Sequence, residues 1–171
     1  MEQPITADDI SRDLIHFIAK SPSTFHAVRG IKAALLYAGF TEIREEDTWQ
    51  IEKGGKYVVT KNGSALMAFT VPKEGAEAFH ITASHCDSPT FKIKENPEIA
   101  DGPYVKLNVE GYGGMIMSTW LDWLDRPLSV AGRLLVTENG HLAEKLVAID
   151  GTMLVIPSVA IHMDRSVNQH K

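Results

Sequence analysis

Residues 56–60 and 65–71 are rich in strand-forming side chains, and Asn62-Gly63 lies between them. Asn and Gly both tolerate the positive φ of a tight hairpin turn, so this stretch is predicted to fold back as an antiparallel pair. The residues before it follow another period. Ile10, Leu14, Ile15, Phe17 and Ile18 recur at helical spacing, with Thr6 or Asp8 available as a cap and Ser21-Pro22 as a stop. A second helix is expected to open at Ser23 or Thr24, carry Phe25, Val28, Ile31, Leu35 and Leu36, and end at Gly39. Both apolar stripes are expected to pack into a core. Residues 79–83 are a further short, mostly apolar run, expected to be a central strand. Helices leading into a sheet predict an α/β layer architecture.

The texture changes after Pro89. Pro97, Pro103 and Pro127 punctuate the chain, and Gly111, Gly113 and Gly114 cluster in one turn. Strands are expected at 104–109, 129–137, 145–150 and 153–156, with Asn139-Gly140 as a second hairpin signal and His141 in its turn. This half is β-rich. A domain boundary is expected near 93–103, giving domains 1–95 and 96–171. The final stretch, 167–171, carries no closing element and is expected to be a cut in a longer protein.

Composition narrows the class of function. The 171 residues carry 17 Lys and Arg against 22 Asp and Glu, a net charge of −5, with no basic stretch to suit nucleic acid. The apolar runs fall short of the ~20 residues that span a bilayer, so no membrane role is expected. The mixed, acidic N-terminus does not resemble a signal peptide. A single cysteine, Cys86, suits a reducing compartment, and a cytoplasmic location is expected.

The chemistry concentrates in Ser84-His85-Cys86-Asp87-Ser88-Pro89, at the end of the expected central strand. Along an extended chain, residues i and i+2 share a face, which places the His85 imidazole beside the Asp87 carboxylate. A neutral His is a standard zinc ligand, and a neighbouring carboxylate fixes its tautomer. The bland alternative is a turn capped by Asp87. Cys86 is expected on the opposite face, as a small buried hydrophobe. His80 has an odd separation from His85 and is also expected opposite. His16, His26 and, on local pattern, His162 read as structural or surface residues. Gly111-Tyr112-Gly113-Gly114 lacks the spacing of a phosphate loop. Trp120, Trp123, Asp122, Asp125 and Arg126 suit either a packed corner with an ion pair or an interface. After His85 there is no Glu-Glu pair, no second His-x-Asp and no His-Glu-x-x-His, so one ligand candidate stands without the rest of a metal shell.

Several stretches together resemble the N-terminal portion of the aspartyl aminopeptidases, a family of zinc metallopeptidases. They are Ser21-Pro22-Ser23-Thr24-Phe25-His26-Ala27-Val28, Ala38-Gly39-Phe40, Ala83-Ser84-His85-Cys86-Asp87-Ser88-Pro89 and Tyr112-Gly113-Gly114-Met115-Ile116. Further along come Ser118-Thr119-Trp120, Asp125-Arg126-Pro127-Leu128, Ala131-Gly132-Arg133 and Ile156-Pro157-Ser158-Val159-Ala160-Ile161-His162-Met163. Their order and spacing cover nearly the whole chain. The resemblance implies an α/β fold: part of a zinc-peptidase catalytic domain followed by a β-rich dimerisation domain. It maps His85 onto a metal ligand and Asp87 onto the catalytic-site acid that orients it. It maps His162 onto a substrate-binding histidine that reaches a neighbouring subunit. Zinc is the implied cofactor, two ions per site in the complete enzyme, with other divalent metals possible. The implied reaction removes N-terminal Asp or Glu from peptides by metal-activated water, in a homo-oligomer. The inserted Leu121-Asp122-Trp123-Leu124 leaves either Asp122 or Asp125 as the match to the family's Trp-x-Asp-Arg aspartate. The remaining ligands and the catalytic glutamate have no counterpart before Lys171, so this chain alone is expected to be inactive. Two other readings stand beside it. One is a non-catalytic assembly or regulatory piece that oligomerises through the β-rich half. The other is a single-metal hydrolase completed by His80 or His162.

Overall fold

The structure is a computed structural model that describes residues 5–74, 77–113, 123–158, 160, 162–163 and 165. Its elements run α1 (Ala7–Ala19), α2 (Thr24–Tyr37), β1 (Thr41–Glu42), β2 (Lys56–Lys61), β3 (Ala65–Thr70), β4 (Thr90–Asp101), β5 (Tyr104–Tyr112), β6 (Ala131–Glu138) and β7 (His141–Ala148). Two compact units result, one from Met1–Asp87 with Ala131–Ala148, the other from Ser88–Val130 with Ile149–Lys171. Gly114, Trp120, Asp122 and the end at 167–171 lie outside the described residues.

In the first unit, Thr6 starts α1. Its hydroxyl accepts the Asp9 N–H at 3.2 Å, and the Asp9 carboxylate accepts the Thr6 N–H at 3.0 Å. This reciprocal pair satisfies donors that a helix start leaves open. Helix α2 stops at Gly39, whose φ of 84° suits a residue without a side chain. There the Gly39 N–H donates to Leu36 O and the Phe40 N–H to Leu35 O, both at 3.0 Å, which closes the last turn.

The sheet order is β1-β2-β3, with β1 parallel and β3 antiparallel to β2. Asn62 and Gly63 adopt φ of 50° and 64°, as the hairpin predicts, and Lys61 pairs with Ala65. Helix α2 packs on β2 and β3. His26, Ala27 and Val28 are buried on the helix, and Tyr57, Val58 and Val59 on the central strand. Three consecutive buried residues mean that both faces of β2 are covered. One face holds the rings of Tyr57 and Phe69, 5.4 Å apart, with Trp49 6.2 Å from Phe69. Burying a side chain such as Val58 contributes about 1.5–3 kcal/mol.

The second hairpin, β6–β7, closes on Asn139 and Gly140 with φ of 52° and 78°. His141 pairs with Glu138 as the first residue of β7, so it stands in the ladder rather than in the turn. Arg133 fastens the hairpin within the unit. Its Nη1 donates to Asn62 O at 2.7 Å and to Glu144 at 3.0 Å, and its guanidinium lies 4.3 Å from the Phe25 ring centre.

Two expectations for this unit are corrected. The α1 stripe is not core: Ile10, Leu14, Ile15 and Ile18 are exposed, and no residue of α1 is buried. Phe17 reaches the α2 backbone at Gly30. Residues 79–83 form no strand, and Phe79 and Ile81 are exposed. Among the described residues nothing pairs with their backbone, and an apolar run without a hydrogen-bonding neighbour cannot be a strand.

In the second unit, β4 and β5 form an antiparallel ribbon from Thr90↔Tyr112 to Asp101↔Tyr104, turning at Gly102 with φ of 60°. Strand β4 is not among the expected strands, and it contains Pro97, which lacks an N–H to donate. The ribbon absorbs it in a bulge: the register shifts between Ile93 and Glu98, and Asn96 takes a φ of 49°. The expected boundary at 95/96 falls within this strand, whereas the contact division falls at Asp87/Ser88. The expected strand at 153–156 reduces to two bridges, Leu128↔Leu154 and Leu124↔Ile156. Gly113 carries a φ of 100°, which explains a glycine there.

Candidate metal centre

Cys86 sets the geometry at the end of the 79–87 stretch. Its Sγ donates to Ser64 O at 3.1 Å, and Thr24 Oγ1 lies 3.6 Å from Sγ and 3.2 Å from Ser64 O. The side chain between the two candidate site residues is thus turned inward, onto the start of α2 and the β2–β3 turn. Side chains alternate along extended backbone even without a ladder, so His85 and Asp87 emerge together on the other side.

His85 Nδ1 stands 2.9 Å from Asp87 Oδ1 and 2.9 Å from Asp87 O. Both neighbours are acceptors, which assigns the ring proton to Nδ1 and the lone pair of the neutral ring to Nε2. The His85 side chain is 80% exposed, so Nε2 is open to a ligand. This is the arrangement of a metal-binding imidazole, with an acid that fixes the tautomer and raises basicity. Among the described residues no group of three or more His, Cys, Asp or Glu stands close enough to hold a metal ion. The donor set fits one ligand position of a zinc site, which takes three or four protein donors in all. The Cys86 thiol, committed to Ser64 O, is not part of it.

The other histidines separate by environment. His26 is 5% exposed, and its Nδ1 lies 2.7 Å from Ser23 Oγ. Burial, helped by the nearby Arg29 charge, holds its pKa below the usual histidine range, which marks a core residue. His16 lies exposed in the last turn of α1. His80 is exposed in the unpaired stretch. His162 belongs to the second unit, exposed in a turn where the Met163 N–H donates to Ala160 O at 2.8 Å.

For Asp125 the sequence leaves open a packed corner with an ion pair or an interface. Its carboxylate takes both donors of Ser158, the N–H at 2.9 Å and the hydroxyl. Nearby, Trp123 meets Phe91 edge to face at 5.5 Å. A bond across 33 residues leaves no local signal.

The pattern of the family described as Aminopeptidase I zinc metalloprotease (M18) matches residues 17–171. The chain belongs to the M18 aminopeptidases. A probable M18 family aminopeptidase 2 of Clostridium acetobutylicum is 50% identical over 165 residues, covering 94% of this chain and 37% of that protein. An aspartyl aminopeptidase of Dictyostelium discoideum is 41% identical over 161 residues, covering 92% and 33%. Among solved M18-like structures, a cryo-EM structure of an Ape4 and Nbr1 complex superimposes with a TM-score of 0.85 at 38% identity, over 94% of this chain and 31% of that one. A dodecamer of S. cerevisiae mApe1 superimposes with a TM-score of 0.76 at 30% identity, over 91% and 37%. The M18 chain described here has the mixed helix and sheet of those neighbours and spans about a third of the length of the curated relatives.

Proposed function

We propose that this chain is the His85-bearing part of a zinc aminopeptidase that removes N-terminal Asp or Glu from peptides. The observation that carries the reading is the 2.9 Å contact of His85 Nδ1 with Asp87 Oδ1, which leaves Nε2 exposed, in a chain of the M18 family. Zinc, when bound, supplies Lewis-acid polarisation of the scissile carbonyl and a water that ionises near neutral pH. His85 offers Nε2 as one ligand atom. Asp87 holds the proton on Nδ1 and fixes the plane of the ring. His162, from its exposed turn, contacts substrate in a neighbouring subunit. The preference for acidic N-termini is supported by the name of the Dictyostelium relative, and assembly into a homo-oligomer by the S. cerevisiae dodecamer.

In this reading, the first unit, with His85, contributes to the catalytic domain, and the second, Ser88–Val130 with Ile149–Lys171, to the dimerisation domain. The catalytic glutamate, the other ligands and a second zinc belong to the part of the relatives that this chain does not span. The cytoplasm is the proposed location, on the strength of the single cysteine; no helix among the described residues is long and apolar enough to cross a membrane.

A chimera tests this. The chain replaces the matching 37% of the Clostridium acetobutylicum relative, and release of Asp, Glu and Ala from peptide N-termini is measured with and without zinc. Zinc-dependent release of Asp and Glu over Ala is expected. His85→Ala should abolish it, and Asp87→Ala should lower it by about 10- to 100-fold. An active His85→Ala chimera with full zinc content sinks the assignment. The unfused chain should show no turnover; substantial zinc-dependent turnover there overturns its incompleteness.

A further inference from the structure

Asp125 has a φ of 57°, in the left-handed region that costs most residues free energy. It sits where two segments of the second unit are laced together. The Ile149 N–H donates to Val130 O at 3.0 Å, the Leu128 N–H to Leu154 O at 2.9 Å, and the Asp125 N–H to Ile156 O at 2.9 Å. The lacing ends on the Asp125 carboxylate, which accepts the Ser158 N–H on Oδ1 at 2.9 Å and the Ser158 hydroxyl on Oδ2. Four residues further on stands His162, in the turn closed by the Met163 N–H on Ala160 O.

We propose that Asp125 is a positioning residue whose carboxylate locks Ser158 and thereby sets where the His162 turn leaves the laced segments. This rests on the reading of His162 as a substrate-binding group. The bend at 125 lets one residue bind Ile156 through its backbone and Ser158 through its side chain. Glycine makes such a bend at lower cost, so an aspartate there is explained by the carboxylate. The same two bonds hold the Asp125 carboxyl below the usual carboxylate range.

The test uses the whole chain, ¹⁵N-labelled, with Asp125→Gly, Asp125→Asn and Ser158→Ala. Asp125→Gly keeps the bend and removes the carboxylate. It should speed exchange of the Ser158 amide and tryptic cleavage after Arg165 by about tenfold or more, and shift the His162 ring signals. Asp125→Asn tolerates the bend and keeps one acceptor, and should stay within about threefold of the native rates. Amides of β6 and β7 serve as the internal control. Native rates or an unmoved His162 ring in Asp125→Gly overturn the proposal. If Asp125→Gly also disrupts β4–β5, Ser158→Ala decides: it removes one bond of the two, and unchanged His162 signals overturn the proposal. None of these readouts needs turnover. A chimera in which His162→Ala leaves KM unchanged defeats the substrate reading alone, while a raised KM in both His162→Ala and Asp125→Gly supports the two together.

Discussion

Within the first unit, β2 and residues 79–83 are both short apolar runs, yet Val58 is 0% exposed and Ile81 is 85% exposed. The difference lies in their neighbours. Strand β2 has β1 on one side, β3 on the other and α2 packed against it. The 79–83 stretch has no strand partner among the described residues, and its only described anchor is Cys86 beyond its end. Composition gives a segment the capacity to be buried, and the hydrogen-bonding neighbour decides whether it is.

The sharpest test places the same charge in both runs. Val58→Asp puts a carboxylate where no water reaches, and should cost about 3 kcal/mol or more. Ile81→Asp should stay within about 0.5 kcal/mol. Urea unfolding followed by far-ultraviolet circular dichroism measures both, and equal losses would erase the distinction. A smaller effect is expected at the edge of the β2 core. A Cβ at Gly55 would stand 2.5 Å from the Tyr57 ring, whose hydroxyl accepts the Glu52 N–H at 2.9 Å. Gly55→Ala should cost about 1–3 kcal/mol in the same measurement. Gly132→Ala, with nothing within 4 Å of its added carbon, should stay within about 0.5 kcal/mol.

The smallest effect is the pH response of the core behind β2. The pKa of His26 is depressed by burial first and by Arg29 second. A depressed folded pKa gives stability that is present above the unfolded value of about 6.5 and is lost as pH falls through the folded value. Melting temperature should therefore drop between pH 7.5 and pH 5.5. His26→Gln should flatten that slope, and an unchanged slope would remove His26 from the account.

What could be read in advance was what the chain encodes locally. Asn62-Gly63 and Asn139-Gly140 carry the positive φ of their turns, Gly39 closes α2, and spacing alone placed His85 beside Asp87. The missed features depend on distant partners. Strand β4 went unread around Pro97, and only β5 supplies the register in which that proline occupies a bulge. The α1 stripe promised a core that the described residues do not build over it. Asp125 and Ser158 are 33 residues apart, and only the lacing of their segments brings them together. The contact of His85 with Asp87 was legible, but the outward aim of the imidazole depends on Cys86 gripping Ser64 and Thr24, which adjacency in sequence does not show.

The Arg133 fastening has a consequence for the order of synthesis. The unit that carries His85 is interrupted by residues 88–130, and its β6–β7 hairpin comes afterwards. At about 5–20 residues per second, that intervening stretch takes roughly 2–9 s to translate. For that interval the Phe25 ring and the Asn62 carbonyl wait on the ribosome without Arg133. The corner proposed to bind metal is made before the hairpin that fastens its unit.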